Sequence, residues 1–113
     1  DALPISNYSF TKLYGTGSAA GSSRGTAQTS IEIGDVSSVN IVNALVEVQN
    51  YSNSTTYKTI LSRGNDSGNA VYAYAGLWRS TAAITSITLL NLSPPTSYFT
   101  STSTFTLYGI KAA

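Results

Sequence analysis

Apolar and polar side chains alternate with a period of two along most of this chain, and that alternation narrows its fold more than any other feature. In residues 70–79, Val71, Ala73, Ala75 and Leu77 share one parity, while Tyr72, Tyr74, Gly76 and Trp78 share the other. An extended strand points successive side chains to opposite faces, whereas a helix repeats every 3.6 residues. Residues 7–14 put Tyr8, Phe10, Lys12 and Tyr14 on one side. Residues 29–33 set Thr29, Ile31 and Ile33 against Ser30 and Glu32. Residues 39–49 carry Val42, Ala44, Val46 and Val48 opposite Asn43, Glu47 and Gln49. A helix could also claim Val42, Leu45, Val46 and Gln49, but β-branched valines favour a strand.

Residues 57–63, 70–79, 83–90 and 104–111 complete a set of seven expected strands. Turn-forming residues separate them. Residues 15–28 are rich in Gly, Ser and Ala and read as a long loop, low-complexity and mobile over 15–25, that is functional, disordered or packed on a neighbour. Residues 50–56 form a polar loop, and 63–69 (RGNDSGN) a hairpin turn. Residues 91–103 hold Pro94-Pro95, which a central strand excludes. No capped amphipathic helix is evident. The expected fold is all-β, an antiparallel β-sandwich of jelly-roll type in one domain over residues 6–113. Asp1-Ala2-Leu3-Pro4-Ile5 resembles a translated sequencing adapter, so residues 1–5 read as a non-native leader.

The last strand is apolar on both sides, with Phe105 and Leu107 facing one way and Tyr108 and Ile110 the other. Such a strand is expected inside a sheet or beneath a subunit contact. Deleting it should then abolish folding, and Leu107→Ala should cost about 2–5 kcal/mol.

Chemistry is scarce. The chain has no His, Cys or Met, which excludes disulfides, thiolate metal sites and the commonest general base. A Ser–Lys dyad would need Lys12, Lys58 or Lys111, and with 18 Ser and 15 Thr any such pairing is uninformative. Paired carboxylates would have to come from Glu32, Asp35, Glu47 and Asp66. Residues 65–69 are reminiscent of an oxygen-rich calcium loop but lack its further acidic ligands, so a tight turn explains them better. No catalytic residue, metal or cofactor is expected.

Charged residues make up 10% of the chain, against roughly 25% in typical soluble domains, and the surface is solvated by hydroxyls instead. The net charge of +1 and six dispersed basic residues give no patch for nucleic acid. No apolar run is long enough to span a bilayer as a helix. Five of the eight Asn residues, Asn7, Asn50, Asn53, Asn65 and Asn91, open Asn-X-Ser/Thr sequences. These matter only in a glycosylating host. Tyr72, Tyr74 and Trp78 are the candidate binding row. They are either a glycan-stacking platform, half of a sandwich core, or a seam against another subunit.

The second half carries a recognisable succession: Tyr57-Lys58-Thr59, then residues 64–68, then Gly76-Leu77-Trp78, the run TAAITSIT from Thr81, and the closing Phe105-Thr106-Leu107-Tyr108-Gly109-Ile110-Lys111. It resembles a family of tailed-bacteriophage virion proteins, structural or tail-fibre, that end in an LYGIK-like strand. The resemblance implies a non-enzymatic jelly-roll module on the virion surface, as capsid decoration or fibre part. It also implies N-terminal strands before Ser6 that this chain lacks. Exposed strand edges imply a homo-oligomer, with a trimer favoured, and a fibre part would meet a host surface glycan. The alternatives are a carbohydrate-binding or adhesive module and a repeating subunit of an extracellular filament.

Overall fold

A computed structural model describes residues 6–92 and 99–111. The described residues are all-β, without a helix, in five strands. These are β1 (Tyr8–Gly15), β2 (Ala20–Gln28), β3 (Val42–Val48), β4 (Lys58–Asp66) and β5 (Ala70–Trp78). They form one antiparallel sheet in the order β2-β1-β5-β4-β3.

Three hairpins build most of it. β1 and β2 turn through Thr16–Ala19, where Gly17 adopts a φ of 84° and the Thr16 N–H donates to the Ala19 carbonyl at 2.8 Å. β4 and β5 are joined by a turn of only Ser67, Gly68 and Asn69, so β4 runs further into the RGNDSGN segment than expected, while β5 starts at Ala70 as expected. Asp66 closes that turn: its side chain accepts from the Gly68 N–H, and its carbonyl accepts from Asn69 at 3.2 Å. Asn69 takes the left-handed φ of 81°, which Asn tolerates better than most residues.

The remaining connection gives the sheet its two faces. β2 and β3 lie at opposite edges, so residues 29–41 must cross the whole sheet. Four inter-strand steps of about 4.8 Å need roughly 19 Å, well within the reach of this segment. It covers the side that bears Tyr72, Tyr74, Gly76 and Trp78. Ile31 packs over Gly76, where a Cβ would lie 2.6 Å from Ile31 Cγ2, and the Ser62 hydroxyl donates to the Ile33 carbonyl. The opposite side, with Leu13, Leu45, Leu61 and Val71, is open to solvent.

Four expectations are corrected here. Residues 15–28 are not a mobile loop, because most of them form β2. Its glycines carry the reason: Gly21 and Gly25 lie beneath the rings of Tyr14 and Phe10, and a Cβ there would sit 2.6 and 2.7 Å from ring atoms. Aromatic rings from the neighbouring strand fill the space that β2 leaves. Residues 29–33 are not a strand but the start of the crossing, since their isoleucines pack onto the sheet face instead of joining a ladder. Residues 83–90 alternate as a strand would, yet they form no ladder among the described residues; a backbone bond there runs from Ile84 N–H to Tyr51 O at 2.7 Å.

Residues 104–111 are likewise not a central strand. Leu107, Tyr108 and Ile110 are more than four-fifths exposed. An exposed leucine makes few contacts to lose, so Leu107→Ala should change the stability of the isolated chain by less than about 0.5 kcal/mol. Deleting residues 104–113 should leave the melting temperature of the dilute chain nearly unchanged, as read by circular dichroism. A collapse of the transition on deletion would return this segment to the sheet. The 91–103 region falls partly outside the described residues, including Pro94-Pro95, as do residues 1–5.

Candidate functional site

The covered side of the sheet concentrates the chain's polar chemistry, because antiparallel pairing puts register partners on the same face. Lys12 pairs with Tyr74, and Tyr14 with Tyr72. Across the other edge of β5, Ser62 pairs with Tyr74 and Lys58 with Trp78. Onto this row the crossing segment lowers two carboxylates. Tyr74 donates to Glu32 Oε1 at 3.3 Å, Lys12 Nζ to the same oxygen at 2.7 Å, and Tyr72 to Asp35 Oδ2 at 2.9 Å. The Lys12 ammonium also lies 5.4 and 5.6 Å from the ring centres of Tyr72 and Tyr74, within cation–π range.

This arrangement is a latch. Each carboxylate is occupied by a donor from the sheet, and each donor fixes one point of the crossing. The phenols stay protonated: burial first, then the hydrogen bond to Asp35, pushes Tyr72 up to about 12, and burial followed by the charge of Glu32 raises Tyr74 as well. Folding therefore favours the neutral phenols. In the unfolded chain these tyrosines lose their protons near 10, so the unfolded state binds fewer protons above that pH. Their contribution to stability should be intact below pH 10 and fall as pH rises towards 12. Urea melts across that window should show the loss, and Tyr72→Phe with Tyr74→Phe should flatten it; an equal slope in the double variant would contradict the latch.

At the other end of the same face, Lys58 is fully buried and is the largest fully buried side chain among the described residues. Its ammonium donates to the carbonyls of Thr56 at 2.7 Å and Thr81 at 3.2 Å. It ties the β3–β4 loop to the chain that leaves β5. Trp78 stacks nearly parallel on Tyr8, with ring centres 6.3 Å apart. Arg79 donates to Ser9 Oγ at 3.0 Å, bracing the start of β1.

The three candidate aromatics thus share one face, as their parity implied, but not one environment. Tyr74 is buried beneath Glu32, whereas Tyr72 and Trp78 are half-buried. A sugar ring has no free face of Tyr74 to stack on in this arrangement. Sequence reasoning weighed Lys12, Lys58 and Glu32 only as candidates for catalysis and missed their structural partnerships; only the parity of Lys12 with the aromatics signalled any of it. Lys12 and Lys58 bind a carboxylate and two carbonyls, not a serine hydroxyl. Among the described residues no group of three or more Asp or Glu side chains could hold a metal ion. No protein-family model matches the chain, and no curated protein or solved structure matches it.

Proposed function

We propose that this chain is a non-enzymatic structural module of a tailed-bacteriophage particle, working at the virion surface as capsid decoration or as part of a tail fibre. The observation that carries the structural role is how little the chain buries by itself. Among the described residues only Ala70 and Tyr74 form an apolar core, while large apolar side chains stand exposed on the open sheet face and in residues 87–92 and 99–110. Contiguous exposed apolar surface of this kind marks contact with other proteins. Lys12, Tyr72 and Tyr74 are occupied in holding the crossing segment, and Lys58 in tying the β3–β4 loop to the chain after β5. The virion setting rests on the resemblance of the terminal strand and the TAAITSIT run. On this reading the five-stranded sheet is one layer of a jelly-roll-like sandwich.

The experiment is mass spectrometry of tailed-phage particles purified on a density gradient from the source of the sequence. Trypsin should release the peptide from Gly64 to Arg79, and it should follow the particles through the gradient. Its recovery only from the soluble fraction would overturn the virion assignment.

A further inference from the structure

The open face of the sheet is built like an interface. Rows of paired residues run Leu13, Ala73, Arg63 and Leu45 across it, and beside them Thr11, Ala75, Leu61 and Glu47. Apolar side chains interleaved with an arginine suit a protein contact, where arginine is enriched and lysine depleted. Two shallow depressions of about 300 and 440 Å³ open on this side, one beside Thr11 and Leu77, the other between Leu45, Arg63 and Val71.

What covers this face is indicated by the chain itself. A folded monomer of 11.8 kDa should expose about 5,900 Å². This chain exposes 8352 Å², an excess of about 2,400 Å². A stable contact buries about 800 Å² on each partner. The excess is larger than the roughly 1,600 Å² that a chain would bury by giving one surface to a neighbour and receiving another. The surface to give is residues 104–110. Their side chains alternate as a strand's would, and Phe105, Leu107, Tyr108 and Ile110 are exposed. Near Gly109 the segment passes Tyr51, at the end of β3, and it does not cover its own open face, where Leu13, Leu61 and Val71 stay at least half exposed. The chain leaving β5 is held on the opposite, covered side by the bond from Lys58 to the Thr81 carbonyl.

We propose that the open sheet face is an interface between copies of this chain, and that residues 104–110 of one copy lie across the open face of the next. This rests on the structural reading above and names its partner. A contact between two different surfaces is head-to-tail; it forms a ring where the rotation between copies closes and a filament where it does not.

The absence of cysteine makes a clean test available. One full-length chain carries Ala73→Cys, on the open face, and another carries Leu107→Cys; both positions are exposed, so both variants should fold. Mixed and mildly oxidised, the two should form a disulfide-linked band of twice the monomer mass that neither gives alone. Three outcomes would overturn the proposal: no band in the mixture, a band from Ala73→Cys alone, or closure within the monomer when one chain carries both substitutions. A negative result with the Gly64–Arg79 peptide still recovered on particles would remove this interface and leave the virion role. A positive result without particle association would do the reverse.

Discussion

Replacing Tyr74 with alanine should destabilise the chain by about 3–5 kcal/mol, as for other buried aromatic side chains cut back to a methyl group. Tyr74 is 3% exposed at the centre of β5, and three things fail together when its ring goes. The ring leaves a void between Lys12 and Ser62, its register partners on the two flanking strands. Glu32 keeps Lys12 but loses its phenol donor. The crossing segment then has one fewer tie to the sheet. A domain has roughly 5–15 kcal/mol to lose, so this variant should be partly unfolded at room temperature. Tyr74→Phe separates the contributions, since it keeps the ring and removes only the hydroxyl. It should cost about 0.5–1.5 kcal/mol, the net worth of one hydrogen bond. Urea melts followed by tryptophan fluorescence measure both, with Trp78 as the reporter. Equal losses in the two variants would mean that the hydroxyl, not the packed ring, holds the crossing.

Lys58→Ala should be nearly as damaging, at about 2–5 kcal/mol, the range for truncating a long buried side chain. The ammonium is the donor shared by the carbonyls of Thr56 and Thr81, and its stem fills the space beside Ile60 and Trp78. Lys58→Met keeps the stem and loses the donor, leaving two carbonyls short of a partner at a cost of about 1–3 kcal/mol. The alanine variant should therefore melt lower than the methionine variant. If both melt like the parent, the loop and the chain after β5 are not anchored through this residue.

The strands that a sequence reader finds here are those whose own side chains carry the pattern. β1, β3, β4 and β5 alternate visibly because Tyr8, Val42, Ile60 and Tyr74 sit on their covered sides. β2 is invisible for a physical reason: its covered positions include Gly21 and Gly25, and the rings that fill them belong to β1. Information about that strand is written in its neighbour. The converse error occurs at residues 83–90 and 104–111, which alternate but find no ladder among the described residues. Alternation reports which side chains could be buried, not which chain buries them. At the candidate site, the shared face of Tyr72, Tyr74 and Trp78 was legible from parity. The lid over Tyr74 was not, because Glu32 and Asp35 come from a connection whose path depends on β2 and β3 lying at opposite edges.

Hydrogen exchange on the full-length chain, at a dilute and a concentrated condition, tests the central claim that this sheet is a half-sandwich completed by neighbouring copies. The amides of β1, β4 and β5 should be protected at both concentrations. Those of residues 104–110 should exchange freely in the dilute sample and become protected in the concentrated one, together with slower exchange across the open face. Protection of residues 104–110 equal to that of β5 at every dilution would contradict the account, because the segment would then be folded onto its own chain.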